Sequence, residues 1–295
     1  MTDALRLALA AALALAAASP ATAQDLFDSG RGLAGLELSG DVPPVGGLRA
    51  ECAEPCDGEP KGTQQGAKQA APANPAVRYG VIINGDTERR HQLNAVLLRD
   101  FMKSYYGMAD ANITLMSTDQ GIAPSVDNVR KTAEGLKAKI DENDSLVVYT
   151  TGHGTSDQGK TWVALASHTL VSDSNFADKF LDTKASETVY LGDQCYSGGF
   201  AKQMTRNAAK KVIAISSTDD QNSTVCGFFI LPFVEAAQDM VNDTDGSGKV
   251  SEKEAYVAAR AASKMGHAMA GFPAAASNAL YLTSGYPAKA KAAGK

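Results

Sequence analysis

From Val77 to Ser217 the chain alternates short apolar runs with stretches whose apolar residues recur every three or four positions. The runs are VRYGVIIN (77–84), NITLMS (112–117), SLVVYTT (145–151), ETVYLGD (187–193) and KVIAISS (211–217). Apolar residues in near-unbroken succession over that length predict strands covered on both faces. Between them, Leu93, Leu97, Leu98, Phe101, Met102 and Tyr105 predict one face of a helix over 88–106. Val126, Val129, Ala133, Leu136 and Ile140 predict a second helix, with Ser125 as its N-cap. SDSNFADKFLDT (172–183) and a segment near 227–241 predict two more. Alternating strand and helix imply an α/β fold: a mostly parallel sheet with right-handed crossovers and helices on both faces. Ligands of such sheets bind outside the carboxyl ends of the strands.

The flanks read differently. Residues 4–19 (ALRLALAAALALAAAS) are almost wholly apolar behind Arg6, and Ala21-Thr22-Ala23 has the small-x-small form of a cleavage site. This predicts a signal peptide over 1–23, cut after Ala23, and a secreted or periplasmic protein. The apolar stretch falls short of the about 20 residues a spanning helix needs. Residues 24–76, rich in Gly, Pro, Ala and Gln, read as a disordered linker or pro-segment. The folded domain is expected over 77–242, with 243–295 forming a loop, a helix and a tail packed on it. The net charge is −5, and no basic block exceeds two residues before the Lys-rich end, which argues against a nucleic-acid partner. No second apolar segment suits a membrane, and the oligomeric state is not written in the pattern. In an oxidising compartment Cys52 and Cys56, spaced C-x3-C, can close a local disulfide, while Cys195 and Cys226 are expected to be free thiols. His168 and His267 read as surface or packing residues.

The polar residues that matter stand at strand ends. The third strand runs into TTGHGT, which holds His153 between two glycines, and the fourth into GDQCYSGG, which holds Cys195 before a glycine pair. Glycines there are expected to permit positive φ and leave backbone N–H groups open to an oxyanion. A thiol, an imidazole and exposed amides on one sheet edge are the parts of acyl transfer. Cys195 would attack a peptide carbonyl as thiolate, and His153 would serve as general base and then acid. The N–H groups of Gly154 and Cys195 would hold the oxyanion.

TGHG after a strand, followed by DQCYSGG, resembles the caspase-like cysteine peptidases. ERRHQLNAVLLRDF (88–101) is similar to the Arg-His-Gln-x-Asx-Ala segment of the legumain family of asparaginyl endopeptidases, and QNSTVCGFF (221–229) to its Ser-x-x-Cys stretch. The resemblance covers about 77–240. It implies a caspase-like fold, a Cys-His dyad acting on protein or peptide substrates without a cofactor, and self-processing of a zymogen. It also carries Arg90, with His91 beside it, and Asp193 to the pocket for asparagine. There a guanidinium would donate to the amide oxygen and a carboxylate accept from the amide NH2. Ser216 or Ser217, with Asp219, would complete the wall. Cleavage after Asn or Asp is therefore expected. Glu88 stands where the family has an asparagine thought to orient the histidine, which leaves that task to another group such as Asn84. STDDQNS (217–223) also resembles the metacaspase stretch that receives arginine or lysine. With Arg90 turned away, Asp193 and Asp219 or Asp220 would select a basic residue instead. A transpeptidase, or an inactive calcium-binding module on the same fold, are further alternatives.

DTDGSGKVSEKE (243–254) follows the EF-hand template. Asp243, Asp245, Ser247, the Lys249 carbonyl, Ser251 and Glu254 would ligate Ca2+, with Gly248 at the sharp turn. Ser251-x-x-Glu254 is equally a capping box for the following helix.

Overall fold

The apolar runs pair side by side into one sheet. A computed structural model describes residues 75–166, 169–206, 208–225 and 227–284. The predicted signal peptide, the linker to residue 74, the Cys52–Cys56 pair, His168, Cys226 and the Lys-rich tail lie outside the described residues. The strands are β1 (Arg78–Asn84), β2 (Ile113–Met116), β3 (Ser145–Gly152), β7 (Glu187–Gln194), β8 (Lys211–Ser216) and β9 (Leu280–Thr283). Their order is β2-β1-β3-β7-β8-β9, parallel except for β9, which runs antiparallel to β8. The mostly parallel α/β architecture of a caspase-like fold is thus present.

Alternate side chains of each strand feed opposite faces. Ile82, Val147, Tyr149, Val189, Leu191 and Ile213 point to one side, where α1 (Arg89–Ser104), α5 (Ile230–Gln238) and α6 (Glu252–Met269) cover them. Val81, Ile83, Val148, Tyr190 and Ala214 point to the other, beneath α2 (Val126–Lys139), α3 (Asp173–Leu181) and α4 (Ser197–Thr205). Ser125 caps α2 through its side chain, as its position before the apolar period predicts. Among the described residues no helix is long and apolar enough to cross a membrane.

Three features depart from the sequence reading. Leu93 is 56% exposed, and the buried face of α1 is instead His91, Asn94, Ala95, Leu98, Phe101 and Met102. Polar residues take the first inward positions because the helix begins above the carboxyl rim of the sheet, where polar groups meet. A second sheet, β4 (Gly154–Asp157), β5 (Lys160–Ala164) and β6 (Leu170–Ser172), was not expected. Its first hairpin turns on Gln158 and Gly159, both at positive φ, a two-residue loop whose twist suits antiparallel strands. β9 was also not foreseen; its pattern is short and only half-buried.

Phe176 joins α3 to the sheet and to α4, with ring centroids 4.8 Å from Phe180, 5.5 Å from Phe200 and 6.0 Å from Tyr190. Phe176→Ala should destabilise the domain by about 3–5 kcal/mol, read as a lower urea midpoint at unchanged slope. A loss below about 1 kcal/mol would contradict this packing.

Candidate active site

β3 and β7 pair in parallel through Gly152↔Gln194. The next residue of each strand, His153 and Cys195, therefore leaves the sheet side by side at its carboxyl rim. Gly152, at φ +128, turns the chain there in a region that side chains rarely enter. Gly154 then packs on the Cys195 backbone, where a side chain would meet the carbonyl oxygen at 2.0 Å. The end of β1 joins the same rim, as the Gly85 N–H donates to the Thr151 carbonyl at 3.0 Å.

The imidazole of His153 is 62% exposed. Its Nε2 lies 3.0 Å from Asp86 Oδ2 and 3.6 Å from Glu88 Oε1. Asp86 is fixed in turn: its Oδ1 accepts from the Glu88 N–H at 2.8 Å, and its own N–H donates to Asn84 Oδ1 at 3.0 Å. Asn84, expected to orient the histidine, instead donates to Ser117 Oγ and reaches His153 only through Asp86. The signal for this role in the sequence is the acidic residue two positions beyond Asn84.

Cys195 is half-buried, and its thiol donates to the Thr224 carbonyl at 3.5 Å. It follows β7 directly and precedes α4 by one residue, Tyr196, which holds the left-handed region at φ +59 and ψ 21. The glycine pair serves a purpose other than the one expected. Gly198 and Gly199 are helical, and a side chain would meet the Asp219 carbonyl carbon at 2.5 Å or Thr161 Oγ1 at 2.2 Å. They allow α4 to seat closely, and the positive φ falls on Tyr196.

Beneath the rim, His91 is buried with Nδ1 2.7 Å from Thr151 Oγ1, and its ring stands edge-on to His153 at 6.0 Å. Burial lowers its pKa to about 4, against the opposing pull of Asp86. Asp193 is 1% exposed and accepts from Asn94 Nδ2 at 3.2 Å, the Gly227 N–H at 3.3 Å and the Tyr149 hydroxyl at 3.4 Å. Arg90 lies one helical turn before Asn94, so both occupy one side of α1. Its guanidinium sits 2.6 Å from Glu88 Oε2. Ser216, Ser217 and Asp219 stand one strand further along, at the end of β8. The Ser216 hydroxyl donates to the Thr218 carbonyl, and Ser217 faces Ser197 at 3.3 Å. Desolvation pushes the Asp219 carboxyl up, but hydrogen bonds from Gln221, Asn222 and Asn278 outweigh it and hold the pKa below its ordinary value. Ser216 and Asp219 are thus engaged in the turn after β8. Asp220 pairs with Lys202 at 2.7 Å. A cleft of about 570 Å³ lined by Arg78, Ser145, Glu187 and neighbours lies at the opposite rim, where the strands begin.

In the loop 243–254, carboxylate oxygens of Asp243, Asp245 and Glu254 lie within 4.8 Å of one another. Asp243 accepts from the N–H groups of Ser247 and Gly248, the Ser247 hydroxyl donates to the Lys249 carbonyl, and Gly248 has φ +86. Glu254 accepts from Thr244 and from Ser251 in a complete capping box. The Thr244 hydrogen bond, then those of Ser251, hold its pKa down to about 2. Loop and capping box therefore share one carboxylate. Asp86, Glu88 and His153 form a second set of ligand atoms of the same compactness.

The neutral His91 makes stability depend on pH. An unfolded histidine titrates near 6.5, the folded one near 4. Above 6.5 both states are neutral; as the pH falls toward 4 the unfolded state binds its proton first and stability is lost. The contribution is on the order of 3 kcal/mol by pH 4. His91→Gln should flatten the wild-type decline in urea midpoint between about pH 6.5 and 4, and parallel curves for the two proteins would contradict the assignment.

No family model matches the chain. Metacaspase-4 of Arabidopsis thaliana is 28% identical over 169 residues, which is 51% of this chain and 40% of that protein. The chain thus spans under half the length of this curated relative. At low identity and over half its length, the chain is similar to a caspase-like cysteine peptidase.

Proposed function

We propose that the protein is an exported cysteine endopeptidase that cuts after Asn or Asp, with Cys195 as nucleophile and His153 as acid and base. The observation that carries the reading is the Gly152↔Gln194 register, from which thiol and imidazole emerge as neighbours. His153 takes the Cys195 proton, and the thiolate adds to the scissile carbonyl. The resulting oxyanion is held by the N–H groups of Gly154 and Cys195. The C–N bond breaks as His153 returns the proton to the leaving amine, leaving a thioester on Cys195. Water, deprotonated by His153, hydrolyses the thioester and frees the thiol. Arg90 donates to the side-chain oxygen of the substrate asparagine, Asp193 receives its NH2, and His91 supports the floor between them.

One observation favours a second reading. Glu88 lies 2.6 Å from the Arg90 guanidinium, and the curated relative is a metacaspase. With Arg90 so neutralised, Asp193 and Asp219 or Asp220 would select Arg or Lys. Residues 24–76 are proposed as a pro-segment or tether. Asp243, Asp245, Ser247, the Lys249 carbonyl, Ser251 and Glu254 are proposed to hold Ca2+, a weak site in an exported protein. The support is the convergence of three carboxylates around a left-handed Gly248.

Fluorogenic peptides ending in Asn or Asp should be cleaved, those ending in Arg or Lys should not, and Cys195→Ala should lose at least about 10³-fold in kcat. Cleavage after Arg alone would decide for the second reading; cleavage of neither, with Cys195→Ala unchanged, would leave an inactive binding module. Titration with millimolar Ca2+ should give heat that Glu254→Gln removes, and no heat in the wild type would dismiss the calcium site.

A further inference from the structure

We propose that Asp86 is the positioning residue of His153: its carboxylate fixes the imidazole as the Nε2–H tautomer and leaves Nδ1 as the nitrogen that exchanges a proton with Cys195. The proposal rests on the peptidase reading and adds a third member to its dyad. An ionised carboxylate only accepts, so a neutral ring lying 3.0 Å from Asp86 Oδ2 must present N–H at Nε2. The free lone pair is then on Nδ1. Once His153 has taken the thiol proton, the same carboxylate faces an imidazolium and stabilises it.

Asp86 is built for this task, whereas its neighbours are not. Its side chain is only 10% exposed, while that of Glu88 is 36% exposed, 3.6 Å away and paired with Arg90. A chain of hydrogen bonds anchors it. Ser117, just beyond β2, receives Asn84 Nδ2; Asn84 Oδ1 receives the Asp86 N–H; Asp86 Oδ1 receives the Glu88 N–H. The last bond assigns the two carboxylate oxygens to separate duties, since Oδ1 closes the turn and Oδ2 faces the histidine.

That division determines what an amide would do. In Asp86→Asn the Glu88 N–H still demands an acceptor, so the amide oxygen stays in the turn and the NH2 faces Nε2. The ring is then held as the Nδ1–H tautomer, with its proton on the nitrogen that should accept the thiol's. In Asp86→Ser the hydroxyl can close the turn, but Nε2 keeps only Glu88 Oε1 at 3.6 Å, beyond hydrogen-bond distance, and neither tautomer is imposed.

The experiment compares kcat and KM of wild type, Asp86→Asn and Asp86→Ser on the cleaved peptide, with thermal unfolding as the check on folding. Asp86→Asn should lose about 10²–10⁴-fold in kcat with KM within about twofold, and Asp86→Ser should lose less. Long-range 1H–15N correlation spectra in a Cys195→Ala background at about pH 8 should show Nε2–H for His153, and Nδ1–H when Asp86→Asn is added. The His153 signals are identified by their absence in His153→Ala. A folded Asp86→Asn with kcat within about threefold of wild type, or an unchanged tautomer, overturns the proposal. A wild type that cleaves no peptide overturns the peptidase reading instead, and the spectra still decide the Asp86–His153 pairing.

Discussion

The backbone ladder between β3 and β7 is the constraint on which the site depends. Eight residue pairs, from Ser145↔Glu187 to Gly152↔Gln194, hold the two strands in parallel register. Because side chains alternate faces along a strand, a slip of one residue would exchange the helix layers that Tyr149 and Tyr190 fill. Tyr149 packs with α1 and α5, Tyr190 with Phe176 and Phe200 beneath α3 and α4. The cores on both faces thereby determine how far each strand extends at the carboxyl rim. The neighbouring positions of an imidazole and a thiol there follow from packing far below them. Glycines complete the arrangement: Gly154 and Gly199 are places where a single methyl would drive backbone or side-chain atoms apart.

Charge at the rim is arranged in depth. Asp193 lies at the floor and takes hydrogen bonds from Asn94, Tyr149 and Gly227, three donors from three different segments. A buried polar group is costly without hydrogen bonds, and the bond from Asn94 also ties α1 to β7. His91, on the buried face of α1 that also carries Asn94, is held neutral by burial and places no charge beneath the rim. Asp86 and Glu88 face the exposed imidazole from the loop after β1, and Arg90 closes the cluster against Glu88. The net effect is a rim where one histidine is surrounded by carboxylates while the sulfur faces a helix start and a carbonyl.

The sequence made much of this legible, and the reasons are local. Five strands announced themselves because burial on both faces leaves continuous apolar runs, as in VVY within β3. His153 and Cys195 stood out because chemistry-bearing residues ended such runs between glycines. The second sheet stayed hidden because β4 and β5 are short and half-exposed, so that only the Gln158-Gly159 turn betrayed them. Leu93 breaks the expected face because an apolar residue on an exposed helix face costs little, whereas Asn94 is inward, where it donates to Asp193. Asp86 was missed because its importance lies in a contact across 67 residues of chain, which no periodicity encodes (153 − 86). Roles for Arg90, Ser216 and Asp219 came only from resemblance, and the side chains of Ser216 and Asp219 answer first to their own turn.

Covalent labelling puts the pairing of sulfur and imidazole to its most direct test. An asparaginyl electrophile, followed by mass spectrometry of the digested protein, should leave its adduct on Cys195. That adduct should be lost in His153→Ala while a small alkylating reagent still reacts with the thiol. A label elsewhere, or one on Cys195 whose rate ignores the loss of His153, would contradict the account.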